Sequence, residues 1–351
     1  MDWTSTLERE VKLREAKGPF KFVAEPETYG QVAYVLTNAN KFKFTVTPLG
    51  RGSHLIGPPR GSDVALSTLR LNGVVEVSRP NSFVTVKAGS DFNEVQRTLS
   101  KDGLFLPFIH NGTVGGLASI NAPGPFSTWA GFPRNALLGS RLVTGYGSLI
   151  LSGGRTAKFS SGYKIWKALS GTMGWLGVYV ELTFRTLPSP EEVKVGEVGG
   201  EWRSILRFRP WGLLFNVEEG KGRTLAVFAG SKNYVDSVLR DAGLRETEMP
   251  NLELDCPKVI GLHVTRGTED QVLSSLSPSR GIGFLGTGYS RLCTEESEGF
   301  IRSKIRGFAV VERGKAKDYW GFSSTVLCLL KEALDPGRVL SPGLFDNCLT
   351  G

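Results

Sequence analysis

The sequence predicts an α+β protein, with two α/β subdomains first and a smaller α+β domain behind them. Three observations carry that expectation. Short β-branched apolar runs alternate with cappable helical segments up to about residue 187, the order expected of α/β units. Glycine-rich segments at 47–57, 111–124 and 171–177 interrupt those elements. Pro188 and Pro190 then mark a boundary, beyond which short strands dominate. The expected division is 1–187, 188–322, and a C-terminal helix and tail, 323–351, returning to the first domain.

Length and composition narrow the classes. A chain of 351 residues with 40% hydrophobic and 22% charged residues has the material for two or three packed domains. The net charge of +8 is spread along the chain with acids between, and no nucleic-acid motif accompanies it, so no nucleic-acid partner is expected. Cys256, Cys293, Cys328 and Cys348 stand far apart without a Cys-x-x-Cys pair. That spacing argues against an iron–sulfur cluster or structural zinc and points to reduced cytosolic thiols. Residues 1–21 lack the apolar centre of a signal peptide, and no run approaches a membrane span. The expected location is the cytoplasm, or the inner face of a membrane through a partner.

Taken in order, residues 6–16 carry alternating charges and suggest a short surface helix. A strand ends at Glu25, and Thr28 can cap a helix through Val32, Val35 and Leu36. Phe42, Phe44 and Val46 alternate with Lys41, Lys43 and Thr45, a strand pattern that Pro48 would end. The loop that follows contains Pro48, Leu49, Gly50, Arg51, Gly52, Ser53 and His54. Its glycines permit the backbone angles of an anion-binding nest, to which Ser53 adds a hydroxyl and Arg51 a positive charge. An ordinary glycine-rich turn would look the same.

Residues 64–69, 73–78 and 83–89 read as strands, and Ser90 or Asp91 caps a helix through Val95 and Leu99. The second glycine segment contains Gly112, Thr113, Val114, Gly115, Gly116, Ser119, Asn121, Ala122 and Gly124. Paired glycines among small residues let a helix start sit flush on a ligand, or on another helix. A hairpin over 137–151, a helix over 165–169 and the third glycine segment precede a strand over 178–184. In the second domain, strands are expected at 213–217, 224–228, 259–265, 281–286 and 308–312, with helices at 235–242 and 271–276; a last helix covers 324–334.

Four motifs, in this order and spacing, resemble the FAD-binding proteins of the vanillyl-alcohol oxidase and p-cresol methylhydroxylase (PCMH) type. They are Pro48, Gly50, Gly52 and Ser53; Thr113 to Gly116; Gly162 and Tyr163 with Gly174, Gly177, Val178 and Glu181; and Leu334-Asp335-Pro336 with Ser341-Pro342-Gly343. The stretch from Trp129 to Gly139 is similar to the second FAD-binding subunits of glycolate oxidases, with Asn135 where that group usually carries Asp. The resemblance implies a two-subdomain FAD-binding fold with a small α+β cap. It implies that the first loop holds the FAD pyrophosphate, and that Thr113 to Gly116, Ser119, Asn121, Ala122 and Gly124 line the flavin and phosphates. Gly177, Val178 and Tyr179 would contact the ribityl or adenine side. Apart from the resemblance, Arg134 is a candidate to bind a carboxylate or neutralise reduced flavin, with a structural ion pair the equal alternative. Some relatives attach flavin through a histidine in the first loop; that place holds Ser53, with His54 one residue later, which implies non-covalent FAD. The implied partners are a larger FAD-binding catalytic subunit and an iron–sulfur subunit, acting on a small 2-hydroxy acid.

Catalytic residues are not legible. His54, His110 and His263 are the only histidines, and none has the His-x-His spacing of the metal sites that the resemblance associates with hydroxy-acid oxidation, so no intrinsic metal is expected. His263 is a candidate base on a strand, where a half-buried structural histidine is the ordinary reading. Two functions remain open: an FAD-bearing relay subunit of a 2-hydroxy-acid dehydrogenase complex, and a self-sufficient FAD-dependent dehydrogenase of a small alcohol or acid.

Overall fold

A computed structural model describes residues 3–53, 55–57, 61–156 and 162–345. The first sheet has four strands in the order Lys12–Glu15, Phe20–Glu25, Ser62–Ser67, Val46–Leu49. The outer pair, Lys12–Glu15 with Phe20–Glu25, is antiparallel and the other pairings are parallel. The connecting helix Tyr29–Phe42 starts at a capping box, in which Thr28 accepts from Gln31 N and the Gln31 side chain returns to Thr28 N. Val32, Val35, Leu36 and Ala39 on its inner face pack on Val46, Val64 and Leu66 of the sheet.

Two local expectations are corrected. Helix occupies only Trp3–Leu7, and Lys12–Glu15 is a strand. The charges there serve cross-strand pairing, with Lys12 and Arg14 lying 3.2 and 2.9 Å from the Glu25 carboxylate. The alternation at 41–46 is not a strand either. The helix runs to Phe42, Lys43 turns the chain at φ 59°, and the strand Val46–Leu49 contains Pro48 rather than ending there. This strand is last in its sheet, where proline's missing N–H is tolerated.

The second sheet is antiparallel, in the order Val74–Ser78, Phe83–Lys87, Gly177–Arg185, Leu137–Thr144, Leu149–Gly153. The helix Phe92–Ser100, capped by Asp91, and the helix Val114–Ile120, capped by Thr113, contribute Phe92, Val95, Leu99, Val114 and Leu117 to the core beneath it. Val143, Val178 and Val180 from this sheet also join the core of the first, so the two pack as one body.

The third sheet has eight antiparallel strands: Arg245–Thr247, Glu192–Val198, Lys221–Gly230, Gly212–Glu218, Arg280–Phe284, Tyr289–Cys293, Val259–Val264, Gly307–Arg313. Alternation along Gly212–Glu218 sends Leu213, Phe215 and Val217 into one core with Val235, Leu239 and Leu273 of the helices Lys232–Asp241 and Glu269–Leu276. Leu214, Val227, Ile282 and Phe284 face the other way, where Phe126 packs with them. Cys256 and Cys293 form a disulfide, which corrects the expectation of reduced thiols; none of the described cysteines is free. Spacing alone missed it because the closed loop spans 37 residues of sequence.

After the helix Thr325–Leu334 the tail turns back, and Leu340 bridges Val46 in parallel at the margin of the first sheet.

Candidate functional site

The three glycine segments meet at one cleft of about 690 Å³. Pro48, Leu49, Gly50, Arg51, Gly52 and Ser53 line one side; Thr113, Gly115, Gly116 and Ser119 line the second; Gly174, Gly177 and Val178 line the third. They interlock through specific contacts. Gly50 abuts the Thr113 hydroxyl so closely that a β-carbon has no place between them. Thr113 Oγ1 accepts from Gly116 N at 3.1 Å, which caps the small-residue helix. Met173 N donates to Ser119 O at 3.1 Å, tying the third segment to the second.

The first loop has the makings of an anion cradle. The backbone N–H groups of Gly50, Arg51 and Gly52 find no acceptor among the described residues, and Gly52 has φ +70° with open space where a β-carbon would point. The Arg51 guanidinium lies 2.9 Å from the Asp91 carboxylate, which also caps the helix Phe92–Ser100 and so anchors the loop's charge. The Ser53 hydroxyl donates to Asn111 O at 2.9 Å and joins the first two segments.

A second cleft of about 1010 Å³ continues from the first, sharing Ser53, Leu55, His110 and Ile120 with it. Ala122 and Gly124 line this part. Its far wall is the third sheet, which brings Phe284, Tyr289, Arg291, Glu312 and Arg313 to face the glycine segments. Glu312 is held in a closed pair of contacts: the Tyr289 phenol donates to one oxygen and Arg291 Nε to the other, at 2.7 Å. Gly261 on the neighbouring strand leaves the space that the Glu312 carboxylate occupies. Burial, reinforced by the Glu312 charge, pushes the Tyr289 phenol well above its usual range. For Arg291, burial disfavours the charge but Glu312 outweighs it and keeps the guanidinium protonated.

Most of the residues singled out in the sequence converge here; among the described ones, Gly112, Val114, Asn121, Arg134 and His263 line neither cleft. Gly112, Val114 and Asn121 lie beneath the surface-lining residues: Gly112 backs onto His110, Val114 is core, and Asn121 ends its helix at φ 54°. Arg134 is exposed, and its backbone N donates to Asn121 Oδ1 at 2.8 Å. His54 lies outside the described residues. His263 lines neither cleft; its ring stacks on Phe308 at 4.4 Å and meets Tyr289 edge-on at 4.9 Å, and burial pushes its pKa down against the pull of Glu312. Sequence reasoning missed Thr68, Ala88, His110 and Met173 in the first cleft and the whole Tyr289–Arg291–Glu312 group in the second. Only strand register brings that group together, and no local motif encodes it.

Among the described residues no group of three or more His, Cys, Asp and Glu could hold a metal ion. The donor set fits a dinucleotide instead: a backbone cradle with a cation beside it, a wall of glycine and alanine against which a flat group can lie, and two continuous clefts long enough for an extended molecule.

Residues 20–152 match a family described as FAD binding domain. A D-lactate dehydrogenase of Anaerostipes hadrus is 29% identical over 176 residues, covering 49% of this chain and 37% of that protein. The glycolate oxidase subunit GlcE of Escherichia coli is 29% identical over 123 residues, covering 34% of this chain and 35% of that protein. The chain thus spans little more than a third of these relatives' lengths. In overall shape it is similar to an alkyldihydroxyacetonephosphate synthase, with a TM-score of 0.62 at 16% identity over 92% of this chain and 76% of that one.

Proposed function

We propose that this chain, whose residues 20–152 match an FAD binding domain family, is an FAD-binding subunit of a 2-hydroxy-acid dehydrogenase or oxidase complex, of the glycolate or lactate type. It serves there as a redox relay through non-covalent FAD. The observation that carries the reading is the convergence of three glycine segments on one cleft, where the N–H groups of Gly50, Arg51 and Gly52 find no acceptor among the described residues. Gly50, Arg51 and Gly52 would hold the pyrophosphate; Thr113, Gly115, Gly116 and Ser119 would line the phosphates and flavin; Gly177 and Val178 would close the third side. FAD supplies two-electron redox chemistry that no side chain here can. Ser53 stands at the place where some relatives carry the attaching histidine, so the flavin is held there without a covalent bond in this reading. A larger FAD-bearing chain and an iron–sulfur chain complete the complex in this reading. No helix among the described residues is long and apolar enough to cross a membrane.

The Tyr289–Arg291–Glu312 group favours a second reading, a self-sufficient dehydrogenase whose hydroxyl substrate sits in the second cleft. Anaerobic mixing of the FAD-loaded chain with glycolate and with D-lactate separates the two. The relay reading expects slow or absent flavin bleaching by the chain alone and rapid bleaching once the partner chains are added. Rapid bleaching by the chain alone supports the second reading, and no bleaching with either substrate in the complete complex overturns both.

A further inference from the structure

The outer side of the cofactor cleft carries an uncompensated charge. Between Gly103 and Pro190 the sequence holds seven Lys and Arg residues and one acid, Glu181. Glu181 is engaged by Arg141 at 3.2 Å, and nearby Arg155 pairs with Glu76 at 2.9 Å. Arg134, Lys164, Lys167 and Arg185 form no ion pair among the described residues. Lys164, Lys167 and Arg185 line one hollow of about 580 Å³. Burial, then the charges of Lys164, Arg134 and Arg185, push the Lys167 ammonium pKa down, as expected of cations crowded without an acid.

Arg185 also lines a second hollow, of about 610 Å³, beside Trp129, Pro107 and Leu187. Trp129 is 49% exposed although it is rigidly held, stacked on Trp211 at 4.4 Å, which in turn stacks on Phe105 at 5.8 Å. A fixed, half-exposed tryptophan beside Arg185, with Lys164 and Lys167 in the hollow that Arg185 also lines, is the composition of a protein-binding hot spot with a cationic rim. The patch is joined to the cleft: Tyr179 lines the cleft and its phenol donates to Trp166 O, while Trp166 lines the cationic hollow.

We propose that this face, centred on Trp129 and Arg185 and rimmed by Arg134, Lys164 and Lys167, docks an acidic protein chain. The inference rests on the reading above that the chain works with partners. A protein fits better than a small anion, because the cations come from three separate elements and flank an apolar hollow instead of closing around one point. Complementary charge steers the approach and sets the salt dependence, while the tryptophan supplies the desolvated contact.

The test uses a plant-type [2Fe–2S] ferredoxin as a defined acidic probe and the FAD-loaded full chain. Binding is read by tryptophan fluorescence and by sedimentation. The expected result is association that weakens about tenfold on raising salt to about 0.15 M. Lys164→Glu/Lys167→Glu/Arg185→Glu should weaken it by about tenfold or more, and the milder Lys164→Gln/Lys167→Gln by less. Trp129→Ala should weaken binding while leaving the salt dependence in place. Lys232→Glu/Arg240→Glu, on a helix of the third sheet, should have no effect. Absence of binding overturns the proposal. So does an equal loss in the Lys232/Arg240 control, which would report only the overall charge. Displacement of ferredoxin by millimolar inorganic phosphate from the wild type, with phosphate binding lost in the triple variant, makes the site a small-anion site and also overturns it. FAD content is measured on the same samples: a chain that takes up no FAD defeats the functional reading, while ferredoxin binding still decides the docking surface.

Discussion

Lys331 Nζ lies 2.6 Å from the Asp335 carboxylate one helical turn further on, and both side chains are buried. The ammonium also donates to Trp175 O at 2.7 Å and Leu340 O at 3.0 Å, while Asp335 accepts from Val339 N and Leu340 N at 3.1 and 2.9 Å. The pair therefore clamps the C-terminal helix and tail onto the third glycine segment, which supplies a wall of the cofactor cleft. Lys331→Met leaves a buried carboxylate unpaired and should cost about 3–5 kcal/mol. Urea unfolding measures it. Lys331→Met/Asp335→Leu should recover part of the loss, and a loss below about 1 kcal/mol in the single variant would mean that the clamp is solvated.

FAD uptake depends on the glycines of the first loop for two distinct reasons. Gly50→Ala drives a methyl group into Thr113 and should part the first two segments. Gly52→Val strains a φ of +70° in a loop whose backbone lines the cleft. Both variants should lose FAD, as read from the flavin absorbance of purified protein after incubation with the cofactor. Acid precipitation of the wild type should release its flavin to the supernatant; flavin retained in the pellet would contradict non-covalent binding.

The site was legible in the sequence where chemistry resides in consecutive residues. Gly50 and Gly52 announce their loop because only glycine meets the steric demand there. Thr28 and Asp91 announce helix starts because their side chains cap within three residues. What was hidden is set by register and long-range pairing. Glu312 meets Tyr289 and Arg291 only because the strands Tyr289–Cys293, Val259–Val264 and Gly307–Arg313 lie side by side, with a register shift between Val259 and Ile260. The charge alternation at Lys12 and Arg14 suited a helix as well as a strand until Glu25 was placed opposite. Arg134 sits in a stretch that resembles relatives, yet its side chain is exposed outside both clefts.

Glu298 should make stability fall in acid. Burial opposes its ionisation, but backbone N–H groups of Glu298, Lys317 and Asp318, and the Lys258 ammonium, outweigh it and hold the carboxyl at about 2, against an ordinary value of 4.5. Between those values the unfolded chain binds the proton and the folded chain does not. The stabilisation is therefore complete above about pH 4.5 and is lost as pH falls through the folded value. Thermal midpoints of wild type and Glu298→Gln, compared from neutral to acid pH, should converge as the pH falls. Parallel curves would remove Glu298 as the cause.

The Cys256–Cys293 bond, across a sequence separation of 37 residues, ties the segment leading into the strand Val259–Val264 to the end of its neighbour Tyr289–Cys293. Cys256→Ser/Cys293→Ser should lower stability by about 2–4 kcal/mol, measured against the oxidised wild type. A reducing agent should destabilise the wild type by more than the variant, because in the variant only the disulfide of Cys328 is left to reduce. If it shifts both equally, this disulfide is not responsible.

His263 and Glu312 give opposite expectations, and together they decide which reading of the second cleft holds. His263 lines neither cleft and is packed between Phe308 and Tyr289, so His263→Ala should lower stability while FAD content and flavin photoreduction stay as in the wild type. Glu312 faces the second cleft and neutralises Arg291 there, so Glu312→Gln leaves a guanidinium without its counter-charge. In a relay, that change should alter the flavin's reduction potential or the stability of the fold, with no turnover to lose. In a self-sufficient enzyme working at about ten turnovers per second, Glu312→Gln should abolish turnover with FAD still bound. Turnover by the chain alone that survives Glu312→Gln but not His263→Ala would return the histidine to the role of base and remove Glu312 from the chemistry.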